Sequence, residues 1–550
     1  MAMRAAIYLV GLLFAGITLW AITLPTSSSL SSFQHVFTGA KSRQRTIEEK
    51  RAMALAFVQT QLQANSLIPG LSFSVVYQNE TVIATGFGTK QFGNPNSPLT
   101  GHSVLQIGSF TKTFTALGIG KLVDDGLVKW SDTVKQHLPW FRLMDKYAEQ
   151  YTTLADLLAM NSVFGNHEGD MMFFLGAAPT EKVLVERLAF FNTTRPLRAG
   201  YAYSNLNFAI LGQVIEHVTH QPWFAFIKTT FFDPLGMNET FGRPSDVTNM
   251  DELSSGHCSC DNRIHGPYSI ASSTVGTAPL DDYSAEGSIL TSANDLAKFS
   301  HFLLNRGRGI LKSPKIIQEM TTGHTILPNA VDGIDFKGDT FHPDGSVQGI
   351  GYGIGTVGNV MYGYDFYDKN GGTLAMHHHN GFVPSQGLGV TLGVNVHMES
   401  GVDNALLERM RTYVLGIFLD VPQSTLDATW DEAMAQFHPP QGLECDPHFI
   451  DGQPSGEPIP LETQTLLVGT YMASESPRYN GNLTVFKQGQ DLMLHYGVFT
   501  KPLLGDKQDP TMLVWTVDLG ISTASFFLTD LNTSKQALTY PGLATFVRVA

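Results

Sequence analysis

A serine and a lysine one helical turn apart are the first residues whose types and spacing suggest a reaction. In Gly108-Ser109-Phe110-Thr111-Lys112 the two side chains stand at i and i+3 and share a helical face. An alcohol is a poor nucleophile until a neighbouring base takes its proton. A lysine serves as that base only when burial or nearby positive charge lowers its pKa. The helix N-terminus adds a backbone N–H and partial positive charge for an oxyanion developing on the substrate. Alone, Ser-x-x-Lys is short enough to arise by chance in 550 residues, as an N-cap serine and an exposed lysine. Tyr203-Ser204-Asn205 and His379-Asn380-Gly381 are equally mute in isolation. A tyrosine before a helix start usually packs, and Ser204 would be an ordinary N-cap.

Two other groups carry metal-ligand chemistry. His377, His378 and His379 are consecutive, but alternate residues of a strand face opposite sides, which argues against a shared ion. His257-Cys258-Ser259-Cys260 with His265 has no second pair at matching spacing. The expectation is no metal and no cofactor. Cys445 can pair with Cys258 or Cys260 in an oxidising lumen, leaving one thiol free.

Several elements must position these residues. Thr46 with Glu49 fits a capping box ahead of Leu55, Val58 and Leu62 on one helical face. Residues 71–77 and 81–84 read as two strands around a turn at Asn79. A helix runs from Ser109 to Asp125, with Gly126 as its stop. Another begins near Ser204, with Phe208, Leu211, Ile215 and Val218 at helical spacing. Glycine-rich, strand-like pieces come later, at 351–357, 374–380 and 387–396. Residues 421–460 hold one amphipathic piece at 425–437 and then Pro439, Pro440, Pro454, Pro458 and Pro460, as a linker would. Short alternating segments at 483–486, 492–496, 512–515 and 525–528 suggest a small antiparallel barrel or sandwich.

Taken in order, the motifs are more specific than any one of them. Residues 106–117, with Leu122-Val123-Asp124-Asp125-Gly126 after them, closely resemble the serine β-lactamase and penicillin-binding-protein-like hydrolases. Tyr203-Ser204-Asn205 matches that family's second motif, and residues 211–216 and Pro234-Leu235-Gly236-Met237 match the segments downstream of it. Residues 288–299 and Gly351-Tyr352-Gly353 match later segments, so the resemblance covers about residues 47–415. It implies an antiparallel sheet flanked by helices with an all-helical subdomain, an α/β (α+β) fold, followed here by the small β-barrel. It further implies Ser109 as the acylated nucleophile, Lys112 and Tyr203 as its proton-transfer partners, and Asn205 as a substrate-positioning amide. His379 and Gly381 would form the third motif, with an oxyanion hole from the N–H groups of Ser109 and Phe382. True lactamases have Lys-Thr-Gly there. His-x-Gly resembles D-amino-acid peptidases and related serine hydrolases, several of which carry a lipocalin-like C-terminal domain. The expected substrate is therefore a small peptide or an ester, with β-lactam hydrolysis placed third. A carboxylesterase and a catalytically idle binding module are the rivals. One departure stands out: residues 382–394 look too short for two full strands and a turn. Either one central strand is curtailed or a segment of the chain is missing here, and curtailment predicts a weakened oxyanion donor at Phe382.

Composition bounds the rest. At 43% hydrophobic residues the chain can bury a sizeable core, which excludes general disorder. A net charge of −14 disfavours nucleic-acid partners. Three cysteines cannot build a disulfide framework. Arg4 precedes an apolar run at 5–24, which reads as a signal peptide or a membrane anchor with the bulk of the chain translocated. Sequons at Asn79, Asn192, Asn238, Asn482 and Asn532 fit a secretory route, either anchored or secreted. The expected layout is targeting segment 1–25, polar tether 26–45, hydrolase domain 46–420, linker 421–460 and C-terminal barrel 461–550.

Overall fold

The computed structural model describes residues 44–260, 262–271, 282–327, 348–398, 401–436, 456–507, 509–515 and 524–549. The apolar run at 5–24, most of the proline-rich stretch and Cys445 lie outside the described residues. Among the described residues no helix is long and apolar enough to cross a membrane.

The first helix, α1 (Ile47–Ala64), opens on the Thr46/Glu49 capping box, with each side chain bonded to the other residue's backbone N–H. Strands β1 (Gly70–Tyr77) and β2 (Glu80–Gly88) form a hairpin. Its turn residues Gln78 and Asn79 take φ of 50° and 67°, the paired positive values of a type I′ turn. Helices α2 (Thr111–Asp124), α3 (Leu206–Thr219) and α4 (Ala293–Leu304) come next. Then come β3 (Thr356–Met361), β4 (Tyr364–Asp368), the short β5 (Gly371–Gly372), β6 (His377–Val383), β7 (Leu388–Val394) and α5 (Val402–Phe418).

One antiparallel sheet runs in the order β2-β1-β7-β6-β4-β3, extended by two short strands, with β5 alongside β6. Helix α5 lies against β6 and β7, while α4 packs on β1, β2 and β7. Because both faces are covered, β1 and β7 are buried at every position. Such strands read as unbroken apolar runs rather than alternation. Helix α2 is buried on nearly all sides, with Phe114 packed against Phe232 and Phe299. This seats the Ser109–Lys112 segment between the sheet and the helical part of the molecule.

Eight further strands, from Gly469–Ala473 to Ala544–Arg548, close into a barrel. Tyr471, Leu494, Trp515, Phe526, Leu538 and Phe546 are buried with at most 1% exposure. A small barrel filled by its own side chains is a packed core, not a vessel. The barrel docks on the helical part. Tyr479 Oη donates to Gly169 O at 3.0 Å, Val498 N to Leu175 O at 3.0 Å, and the Arg478 guanidinium lies 3.4 Å from the Phe190 ring centre.

Candidate active site

The chain enters α2 through a short 3-10 turn at Gly108–Phe110, which leaves Ser109 half-buried at the helix mouth. Two groups converge on its hydroxyl. Lys112 Nζ donates to Ser109 Oγ at 3.1 Å, and Tyr203 Oη lies 2.7 Å from the same oxygen. The Lys112 amine also donates to Glu286 O at 2.8 Å, fixing its direction. Tyr203 comes from the segment just before α3, whose apolar stripe anchors it in the helical core.

Burial decides the state of the amine. Lys112 is fully enclosed, and loss of water pulls its pKa well below the usual lysine range. The nearby carboxylates of Glu286, Asp170 and Glu181 oppose that shift but do not reverse it. Burial likewise pushes the Glu286 carboxyl far above the usual carboxylate range, against the pull of Lys112. Glu181 rises for the same reason. The two shifts agree: the interior favours the neutral forms, and a neutral amine is a base.

The edge of the sheet supplies a residue that sequence reasoning missed. After β4 the chain reads Lys369-Asn370-Gly371-Gly372. Lys369 Nζ donates to Tyr203 Oη at 3.4 Å and sits 4.8 Å from the ring centre. Its backbone is gripped on both sides by one amide: Lys369 N donates to Asn380 Oδ1 at 3.0 Å, and Asn380 Nδ2 donates to Lys369 O. The buried Arg411 of α5 reinforces this. Its guanidinium reaches Asp368 at 2.9 Å, Asn370 Oδ1 at 3.1 Å, Asn380 O at 2.7 Å and the Glu408 carboxylate. Gly371 must be glycine, because a Cβ there would lie 1.9 Å from Ile107 O and 2.8 Å from Ser109 N. Gly108, at φ +50°, would bring a Cβ to 2.4 Å from Gly372 O. These glycines press β5 onto the Ser109 turn, and among the described residues β5 has a ladder partner, β6, on one side only.

Asn205 begins α3 and donates through Nδ2 to Asp170 Oδ2 at 2.7 Å, an oxygen that His167 Nδ1 also meets at 2.9 Å. The His167 ring lies 5.1 Å from that of Tyr203. The Gly169 carbonyl beside Asp170 is the one that Tyr479 of the barrel holds.

The third-motif expectation is corrected. His379 stands on β6 with its ring against α5, bonded to Glu408 at 3.1 Å and Asn404 at 2.7 Å. Its neighbour His378 faces the other way and stacks on Phe110 at 5.3 Å. A strand sends successive side chains to opposite faces, so the sheet lies between the His379 ring and Ser109. Gly381 shares the His379 face, where a Cβ would meet Phe366 and Arg411. Phe382 is a ladder residue paired with Gly389 and Tyr367. Four residues along β6 from His378, it stands about 13 Å from the end that meets β5. The curtailed strand is also overturned. β6 and β7 are seven residues each and pair without a break from His377↔Val394 to Val383↔Leu388. Residues 382–394 look too short only when the motif is placed one strand too late.

The remaining histidine and cysteine candidates separate. His257 donates to Asn395 O at 2.8 Å and accepts from Phe92 N at 3.0 Å, so both ring nitrogens are engaged. Cys258 is buried, with its Sγ 3.8 Å from Leu374 O. His377 joins His397 and Asp403, residues far from it in sequence.

An antiparallel sheet flanked by helices is a fold shared with known proteins. Residues 55–409 match the Beta-lactamase family, and the chain belongs to that family. An unguisins hydrolase of Aspergillus campestris is 28% identical over 277 residues, 48% of this chain and 48% of that protein. Beta-lactamase-like protein 4 of Dictyostelium discoideum is 25% identical over 288 residues, 50% and 48% respectively. The chain thus spans about half the length of these curated relatives. Among solved structures, the octameric penicillin-binding protein homologue from Pyrococcus abyssi aligns with a TM-score of 0.52 at 20% identity, covering 90% of this chain and 99% of that one. The D-amino acid amidase from Ochrobactrum anthropi SV3 gives 0.52 at 20%, covering 70% and 98%. These two establish the fold.

Proposed function

We propose that this chain is a serine hydrolase that forms an acyl-enzyme at Ser109 on a small amide or peptide. The observation that carries the reading is the convergence of Lys112 and Tyr203 on one hydroxyl at 3.1 and 2.7 Å. In this mechanism the neutral Lys112 amine, with Tyr203, takes the Ser109 proton as Oγ attacks the carbonyl. The oxyanion meets the Ser109 N–H and an outward N–H of β5, donors fixed before the reaction begins. Tyr203 returns the proton to the departing amine, and water then cleaves the ester. Lys369 places an amine donor beside the Tyr203 oxygen, where negative charge builds as the proton moves; burial lowers the amine's pKa, and the neighbouring Tyr203 opposes that shift. When protonated, the same amine suits a substrate that carries a carboxylate. The hydrolase and amidase names among the similar proteins support an amide substrate.

A second reading, β-lactam hydrolysis, gains from one observation. The residues against Ser109 are Lys369-Asn370-Gly371, the Lys-x-Gly form, so the ground for ranking it third no longer applies. A carboxylesterase is separated from both by turnover of p-nitrophenyl esters without turnover of peptides or lactams. The barrel is lipocalin-like in this reading only in architecture, and its work is to brace residues 169–175. Exposure of all five sequon asparagines supports a secretory route, checked by glycosidase-sensitive mass.

The test is covalent. A fluorophosphonate or a penicillin should add its mass to the peptide containing Ser109, and Ser109→Ala should abolish both labelling and hydrolysis. An unlabelled wild-type chain, or normal turnover by Ser109→Ala, would overturn the assignment.

A further inference from the structure

Behind β5, on the side away from Gly108, a second cluster of reactive side chains takes no part in the mechanism above. His377 stands at the start of β6, His397 in the short strand His397–Met398, and Asp403 in the first turn of α5. His397 Nδ1 lies 3.0 Å from His377 Nε2, His377 Nδ1 lies 3.1 Å from Asp403 Oδ2, and His397 Nδ1 lies 3.8 Å from that oxygen. One ligand atom from each residue falls within 4.8 Å of the other two.

The polar bookkeeping of this cluster is incomplete. Asp403 is fully buried, and among the described residues no lysine or arginine pairs with it. Its Oδ2 accepts from Met398 N at 3.1 Å, while its Oδ1 has no hydrogen-bond partner. The His377 Nδ1 also lacks an aligned partner despite its nearness to the carboxylate. Among the described residues, the groups facing the carboxylate that can carry positive charge are imidazoles: His377 and His397 beside it, and His379 farther off. Burial disfavours protonation of the two near ones. A buried carboxylate normally has a counter-ion or coordinates a metal.

We propose that His377, His397 and Asp403 form a binding site for a zinc-type divalent cation. Two imidazole nitrogens and one carboxylate oxygen are a donor set zinc accepts, at about 2.0–2.2 Å. Donors on one tetrahedral ion then lie about 3.4 Å apart, and the 3.0 and 3.8 Å contacts bracket that spacing. All three donor atoms lie within 4.8 Å of one another, and side-chain rotation closes the widest pair onto a common centre. The imidazoles keep 13% and 16% exposure, so ions can enter and water can fill the fourth position. The site ties together three segments that only the fold brings near. It also touches the active-site edge: a Cβ on Gly372 would lie 3.1 Å from the His377 ring nitrogen Nε2. An ion here braces β5 from behind.

The experiment uses the full chain without a histidine tag, freed of metal by chelation and then given zinc chloride. Expected are one equivalent of zinc retained after gel filtration, a raised melting temperature, and a cobalt(II) absorbance band typical of four-coordinate nitrogen and oxygen ligation. His397→Gln and Asp403→Asn should each weaken zinc binding beyond the roughly 100-fold that loss of an outer partner costs. His379→Gln, which touches Glu408 and Asn404 instead, should retain it. If Asp403→Asn does not fold, His397→Gln alone decides. Failure of the wild-type chain to retain zinc, or equal retention by His397→Gln, would overturn the proposal.

Discussion

Two Asn-Gly triplets on adjacent strands, Lys369-Asn370-Gly371 and His379-Asn380-Gly381, differ in what the sheet does with them. The first comes after β4 and runs into the edge strand β5, where glycine lets the backbone touch the nucleophile turn. The second lies in an internal strand, paired on both sides, with its histidine ring turned toward α5. The internal triplet still serves the edge one, because Asn380 grips the Lys369 backbone. A motif therefore acquires chemistry from an open edge and a face, not from its letters.

The comparison breaks most sharply at Gly371. Gly371→Val places carbon against Ile107 O and Ser109 N, so β5 must retreat and its oxyanion donor goes with it. Acylation should fall by about 10²–10³ or more, the usual loss for one such donor, with the melting temperature as a control for folding. Lys369→Met comes next and should cost about 10²-fold in kcat/KM, because the donor beside Tyr203 is gone.

Glu286→Gln sharpens the electrostatic half of the account. A base must be unprotonated, so the rate falls as pH drops through the Lys112 pKa. Once the buried Glu286 carboxyl ionises, well above the usual carboxylate range, its charge holds Lys112 protonated to higher pH than burial alone would. Removing it should move the acid limb of the kcat/KM profile to lower pH. A shift to higher pH would contradict the assignment of Lys112 as base. The smallest effect belongs to His379→Gln, which loses contacts to Asn404 and Glu408. It should cost about 1–2 kcal/mol of stability by denaturant titration, with little change in rate.

Much of this was legible in the sequence because it is local. The serine and lysine share a helix turn, Tyr203 and Asn205 flank a helix start, and the hairpin at Asn79 announces itself by its turn. The barrel strands are legible by alternation, since only their inner face is buried. Lys369 was not. Its contact with Tyr203 depends on which strand forms the edge and on glycines at Gly108 and Gly371, and neither shows as periodicity. The pairing of His377 with His397 and Asp403 was hidden for the same reason: strand alternation turns His378 away from His377, and only the fold brings two distant ligands to it.

The most direct measurement is the rate constant for acylation of Ser109 by one fluorophosphonate or β-lactam probe, compared across the wild-type chain, Lys369→Met and His379→Gln. The account predicts a drop of about 100-fold for Lys369→Met and a change within about threefold for His379→Gln. The reverse order, with His379→Gln crippled and Lys369→Met near normal, would contradict it.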